Sequence, residues 1–390
     1  MYKPYYVKDV LEASSQKKFT VISTFAGGGG SSTGYRLGGG NVLLINEFVK
    51  AAVETYTANF PDTKVLVDDI KKYTAKDFLN MAEIKEGELD ILDGSPPCSA
   101  FSLAGKKDKN WNKEKSYSDG KKVVAIEDLF YEFIRIAEGI QPKVIVAENV
   151  KGITFGKAME KLHAFINEFE NIGYRVTYKV LNAADYGVPQ ARERTIFICI
   201  REDVCESLDL SYLAINSIFP RPTFDKHISM KEAISDIEDD EDRQMLLDYL
   251  EQSWQKPWVS MLPFNPDKPI KPDNKKFTTE KKDATGKIIE EARNPKKSCF
   301  NMIRPCPDLP SPTLTQQGQK RGMSGVFHPA ENRKLTVKEC KRLMAFPEDF
   351  VLTGTFDQKI ERLGRAVAPL MYKELSKSIY ENVLKEYKNG

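Results

Sequence analysis

Three local patterns put chemically capable side chains where an enzyme would use them. Cys98 stands in Gly94-Ser95-Pro96-Pro97-Cys98-Ser99, where two prolines stiffen the backbone after an apolar, strand-like run. Open α/β sheets place their active sites at the carboxyl ends of strands. A thiol that is positioned and activated there is a nucleophile, and a thiol without such help is a packing residue. The chain has six cysteines, at 98, 199, 205, 299, 306 and 340, with no Cys-x-x-Cys pair. That spacing points to reduced thiols rather than to a zinc site or a disulfide framework. Glu148, in Ala147-Glu148-Asn149-Val150, closes a second apolar run and is either a capping group or a functional acid. Arg192 and Arg194 fall two apart in Gln190-Ala191-Arg192-Glu193-Arg194, so in an extended segment they share a face. Two guanidinia on one face grip a phosphate, hold a carbonyl and a carboxylate, or make ordinary surface ion pairs.

A fourth pattern suits ligand binding. Gly27, Gly28, Gly29 and Gly30 follow the strand-like FTVISTF and precede helical sequence. Glycine there lets a ligand approach the backbone at the positive end of a helix. The next apolar run ends at Glu47, an acid placed to accept from a ribose diol or to sit on the surface. The loop lacks the Gly-x-x-x-x-Gly-Lys-Ser/Thr arrangement, which disfavours nucleoside triphosphate hydrolysis.

The elements that must position these residues alternate. Strand-like runs at FTVISTF, NVLLINEF, LDILDG, PKVIVAENV, RVTYKVLN and RTIFICI are separated by helical spacing in DLFYEFIRIAEGI and AMEKLHAFINEF, the latter ended by Gly173. That alternation predicts an α/β fold with a doubly wound, mostly parallel sheet. The character changes near residue 201. Residues 1–201 read as a catalytic and cofactor-binding domain, 202–330 as a smaller irregular domain, and 331–390 as a segment that completes the first. Residues 103–122 are polar, lysine-rich and aperiodic, as a loop would be. The 390 residues carry a net charge of +2, so any nucleic-acid surface must be local. No apolar run is long enough to span a membrane, and the first residues lack the core of a signal peptide.

Taken in order, FAGGGG, Glu47, Asp69-Ile70, GSPPCSAFS, ENV, QARER, RLMAFPEDF and GRAVAP closely resemble the C5-cytosine-specific DNA methyltransferase family, over nearly all the chain outside 202–310. The resemblance implies the S-adenosylmethionine-dependent methyltransferase fold, with 202–330 as target-recognition domain. It implies methyl transfer to C5 of a cytosine flipped out of a specific duplex sequence, through a Cys98–C6 adduct. Glu148 would contact N3 and the exocyclic amine, Arg194 the O2, and Arg192 would organise the site. Phe25 and Ile70 would sandwich the cofactor adenine, Asp69 take its amino group and Glu47 its ribose. Gly27 to Gly30 would admit the methionine end, with Pro96 and Val367 bordering the site. Ser99, Ser102, Gln190 and Thr315 would touch DNA, with Arg321-Gly322 nearby. S-adenosylhomocysteine is the expected product, and no metal is expected. The expected setting is a monomer acting on double-stranded DNA in the bacterial cytoplasm, paired in function with a restriction endonuclease. The chain departs from the family at Gly364-Arg365-Ala366-Val367, where an asparagine is usual in place of Arg365, and at Ala368, where proline is common. An ion pair is the expected use of Arg365. A transfer-RNA methyltransferase of the same fold, an amino-methyltransferase and an inactive DNA-binding regulator are the rival readings. The long variable region, the Pro-Pro-Cys ending and the retained Cys98, Glu148 and arginines argue against them in turn.

Overall fold

The computed structural model describes residues 2–96, 115–116, 122–123, 128–156, 158–238, 240–253, 256–260, 262–271, 278–282, 288–293, 302–316 and 325–389. Its centre is a seven-stranded sheet of β1 (Phe19–Thr24), β2 (Gly40–Asn46), β3 (Lys64–Leu66), β4 (Ile91–Gly94), β5 (Val144–Val150), β6 (Tyr174–Asn182) and β7 (Glu193–Arg201). The spatial order is β3-β2-β1-β4-β5-β7-β6. The pairings among β1 to β5 are parallel, and β7 runs antiparallel to both neighbours. The mostly parallel sheet expected from the sequence is therefore present.

The apolar runs are continuous because both faces of the sheet are covered. Successive side chains go to opposite faces. Val144, Val146, Ile196, Ile198 and Ile200 enter one core, and Ile145, Ala147, Phe197 and Cys199 enter the other. The first core is closed by helix α1 (Val7–Ser14), helix α2 (Gly30–Leu37) and the C-terminal segment. The second is closed by α4 (Ala75–Ala82), α5 (Asp128–Ile140) and α6 (Ala158–Asn171), whose Phe130 and Phe165 rings stack at 3.7 Å. Helix α3 (Lys50–Asn59) gives Ala52 to the second core and Tyr56 to the first.

The last stretch supplies α7 (Val337–Leu343), α8 (Phe356–Arg365) and α9 (Pro369–Ile379). Capping boxes start α7 at Thr336 and Glu339, and α8 at Thr355 and Gln358. Pro369 fits the first turn of α9, where its missing N–H costs nothing. Helix α9 packs so closely on α2 that a Cβ at Gly34 would come within 2.5 Å of the Tyr372 Cβ. Between these parts, Ser311–Pro312 pairs in parallel with Gln190–Ala191. Arg304, with no exposed surface, gathers the carbonyls of His328, Glu331 and Val259 and the Asn332 amide oxygen.

Candidate active site

The carboxyl ends of the parallel strands bring together the groups that the sequence scatters. β1 runs into Phe25 and the glycines, β2 into Glu47, and β3 into Asp69 and Ile70. β4 ends at Gly94, beside Ala147 of β5. Pro96 is buried just beyond. Cys98, Ser99, Ser102 and Arg321-Gly322 lie outside the described residues. β7, being antiparallel, begins at this same edge and sets Arg194 across from Val150 and Ile196 across from Glu148.

A pocket at this edge is lined by Phe25, Asn46, Glu47, Phe48, Asp68, Asp69, Ile70 and Leu129. The turn that shapes it needs left-handed backbone. Phe25 has φ +52°, a conformation that costs a non-glycine residue about 1–2 kcal/mol, and Gly27 follows at φ +55°. A Cβ at Gly27 would meet nothing within 4 Å, so the backbone there borders open space. Gly30 is glycine for another reason, since a Cβ would stand 2.3 Å from the Val367 carbonyl oxygen. Val367 thus meets the glycine turn through its backbone. Glu47 holds the turn, with one oxygen accepting from the Gly27 amide at 2.8 Å and the other from the Val49 amide at 2.8 Å. Each oxygen keeps a second lone pair for a hydroxyl. Asp69 accepts from the Lys71 amide at 3.1 Å. The chemistry of this lining fits an adenosine: an aromatic and an aliphatic side chain for the base, and carboxylates for its amine and its diol.

At the same sheet edge, Arg194 Nε donates to Glu148 Oε1 at 2.8 Å, with the side chains only 14% and 12% exposed. Burial pulls the Arg194 pKa down, and the Glu148 charge and hydrogen bond oppose the fall. A half-sealed carboxylate–guanidinium pair offers acceptor and donors in one plane, suited to the edge of a flat heterocycle.

The other arginine has a different environment. Arg192 is 2% exposed and donates to the carbonyls of Leu314 at 3.0 Å, Gly364 at 3.0 Å and Ala366 at 2.8 Å. Arg192 and Arg194 therefore do not grip one ligand. Arg192 ties the end of α8 and the segment following Ser311–Pro312 to the sheet. Gln190 differs from the expected DNA contact in the same way, having no exposed surface. Its amide accepts from the Leu314 N–H at 3.1 Å and donates to the Leu343 carbonyl at 3.3 Å. Thr313 bonds the Ala191 carbonyl, and Thr315 follows on the exposed side. Arg365 makes an ion pair with Glu361 at 3.1 Å, as expected of a cation at that position.

Sequence reasoning missed several members of the site. Asn46 donates to the carbonyls of Leu66 and Asp68, each at 3.0 Å, and fixes the strand end that presents Asp69. Its position beside Glu47 was an available signal. Leu129 reaches the pocket from α5 and carries no signal in the sequence. Among the described residues no group of His, Cys, Asp and Glu is arranged to hold a metal ion, and no helix is long and apolar enough to cross a membrane.

Comparison with known proteins agrees with this geometry. A family model described as C-5 cytosine-specific DNA methylase matches residues 19–381. The Type II methyltransferase M1.HphI of Haemophilus parahaemolyticus is 33% identical over 94% of this chain and 87% of its own length. The Type II methyltransferase M.DdeI of Desulfomicrobium norvegicum is 29% identical over 93% of this chain and 89% of its own length. Among solved structures, a prophage-encoded modification methyltransferase of E. coli superposes with a TM-score of 0.62 at 21% identity, over 94% of this chain and 99% of that one. A Spodoptera frugiperda DNMT2 variant superposes with a TM-score of 0.58 at 17% identity, over 93% and 99%.

Proposed function

Because the chain belongs to the C-5 cytosine-specific DNA methylase family, we propose that it methylates a cytosine flipped out of duplex DNA, through a covalent bond from Cys98 to C6. In the aromatic ring C5 is a poor nucleophile. Addition of the Cys98 thiolate to C6 breaks the aromaticity and moves an electron pair toward C5. Glu148 holds a proton at N3 and accepts from the exocyclic amine, which stabilises the charge gathering on the ring. Arg194 steadies Glu148 through Nε and bonds the Glu193 carbonyl through Nη1, so Nη2 serves the cytosine O2. C5 then takes the methyl group, loses its proton, and the thiol leaves as the ring recovers its aromaticity. Phe25, Glu47, Asp69 and Ile70 would hold S-adenosylmethionine, which would supply an electrophilic methyl and give S-adenosylhomocysteine as product.

The observation that carries this reading is the Glu148–Arg194 pair at the end of β5. It stands one strand from the β4 end that leads to Cys98, on the same sheet edge as the pocket lined by Phe25, Glu47, Asp69 and Ile70. Ser99, Ser102 and Thr315 are assigned to DNA contacts, with Gln190 and Arg192 supporting the Thr315 segment from beneath. Base-specific readout is assigned to 202–330, as one monomer acting beside a restriction endonuclease of the same specificity. The test is transfer of a tritiated methyl from S-adenosylmethionine to duplex DNA, followed by hydrolysis to nucleosides. Label in 5-methylcytosine supports the proposal. Label in an N-methylated base, or in transfer RNA instead of DNA, overturns it.

A further inference from the structure

The proposed reaction leaves the outer end of β5 without a role. Just past Val150 the chain makes a single 3₁₀ turn, Lys151–Thr154, and leaves it at Phe155 in extended backbone. The turn is fixed from within. Ile153 has no exposed surface and enters the second core, and the Thr154 hydroxyl donates to the Lys151 carbonyl at 2.8 Å. Phe155 follows that anchor directly, yet it is 51% exposed. Gly156 comes next at φ +56°, where a Cβ would meet nothing within 4 Å. One exposed ring is ordinary on its own. This one has a cation beside it and the candidate active site behind it.

Lys151 Nζ stands 5.9 Å from the centroid of the Phe155 ring. It also donates to Glu193 Oε1 at 2.7 Å, with the two side chains 34% and 47% exposed. An ammonium has three N–H donors, and Glu193 accepts one of them. Glu193 immediately precedes Arg194, which the strand register sets across from Val150. Arg194 in turn holds Glu148. The Lys151–Glu193 pair is therefore the next rung outward from the Glu148–Arg194 pair on the same two strands. At about 3.3 Å per residue, Lys151 lies about 10 Å along the chain from Glu148. That length is comparable to the reach from the pairing edge of a base to its own phosphate.

We propose that Lys151 and Phe155 form a contact surface for the backbone of the DNA strand that carries the target cytosine. The ammonium takes a phosphate, and the face of the ring packs on a deoxyribose. The proposal rests on the role given to Glu148 above, because a cytosine whose edge meets Glu148 carries its sugar and phosphate outward to the level of this turn. Glu193 holds the ammonium in place, and the two remaining donors serve phosphate oxygens. Contacts of this kind fix the position and orientation of a strand and carry no base sequence. They are thus separate from the base readout assigned to 202–330.

The experiment is equilibrium binding of a fluorescein-labelled DNA duplex, read by fluorescence anisotropy across a salt series with S-adenosylhomocysteine present. The proteins compared are wild type, Phe155→Ala, Lys151→Met and Glu193→Gln. Lys151→Met loses one phosphate contact, so its plot of log affinity against log salt should be shallower than wild type by about 0.9. Glu193→Gln keeps the ammonium and should keep the wild-type slope. Phe155→Ala should keep the slope but bind about 5- to 30-fold more weakly at every salt concentration. Both losses should be equal on duplexes of unrelated sequence, with S-adenosylhomocysteine affinity by calorimetry unchanged. If Lys151 serves only its ion pair, Lys151→Met and Glu193→Gln will share the wild-type slope, and the proposal is overturned. Wild-type DNA affinity in Phe155→Ala, or an equal loss of affinity for S-adenosylhomocysteine, overturns it as well. Absence of cytosine methylation by the wild type overturns the role of Glu148 and this proposal together. Methylation by a wild type whose variants bind DNA as it does overturns this proposal alone.

Discussion

Glu148 and Arg194 are the side chains whose removal separates chemistry from scaffolding. Glu148→Gln keeps the shape and the link to Arg194 but cannot carry a proton to N3. Its methyl-transfer rate should fall by about 10²- to 10⁴-fold, with S-adenosylmethionine affinity by calorimetry unchanged. Equal losses in rate and cofactor affinity would instead mean a collapsed site. At the same scale, Asp90, just before β4, and Asp93, within it, should give stability opposite dependences on pH. Burial pushes Asp90 up, but Lys143, Lys388 and the Thr20 amide more than offset it and hold the carboxyl below its ordinary value. Its contribution is present at neutral pH and lost as the pH falls through that depressed folded value. Asp93 is raised to about 7, so its contribution is present in acid and lost as the pH rises through about 7. The melting-temperature advantage of wild type over Asp90→Asn should therefore shrink only in acid below about pH 4, whereas wild type should lose ground to Asp93→Asn as the pH rises from about 4 to about 7. A parallel pair of curves would contradict both assignments.

Elements far apart in the chain are held by single side chains, and these joints are what the sequence hides. Arg192 and Arg194 share one motif, yet one grasps Glu148 and the other is sealed among carbonyls from Leu314, Gly364 and Ala366. Which does which depends on partners more than a hundred residues away, so spacing alone cannot tell. Gln190, expected at the DNA, is likewise buried and bonded to Leu314 and Leu343. Arg192→Ala leaves buried carbonyls without donors and should cost about 2–4 kcal/mol, seen as a lower urea midpoint with the segment around Leu314 loosened. At the glycine turn, Gly30→Ala puts a methyl 2.3 Å from the Val367 oxygen. Overpacking there should cost about 1–3 kcal/mol, whereas Gly27→Ala meets no atom, should cost about 1–2 kcal/mol through its left-handed backbone alone, and should weaken cofactor binding besides. The reverse pattern would assign the two glycines the other way round.

For the molecule as a whole, the sheet was legible because strands covered on both faces read as unbroken apolar runs, and the intervening amphipathic helices read as helices. The antiparallel insertion of β7 was not, since nothing in RTIFICI states its direction. Yet that insertion brings Arg194 to Glu148. The candidate cofactor pocket was half legible. Phe25, Glu47, Asp69 and Ile70 follow strand ends, whereas Leu129 arrives from α5 by tertiary packing. Asp93 carries no signal in the sequence, because the hydroxyls that bond it come from β1 and α2. The central claim remains that this edge carries out covalent catalysis through Cys98. Duplex DNA containing 5-fluorocytosine tests it most directly, because a fluorine at C5 cannot leave as a proton and the adduct stays closed. Wild-type protein with S-adenosylmethionine should give a denaturation-resistant protein–DNA complex, and Cys98→Ala should give none. No complex from the wild type, or one from Cys98→Ala, contradicts the account.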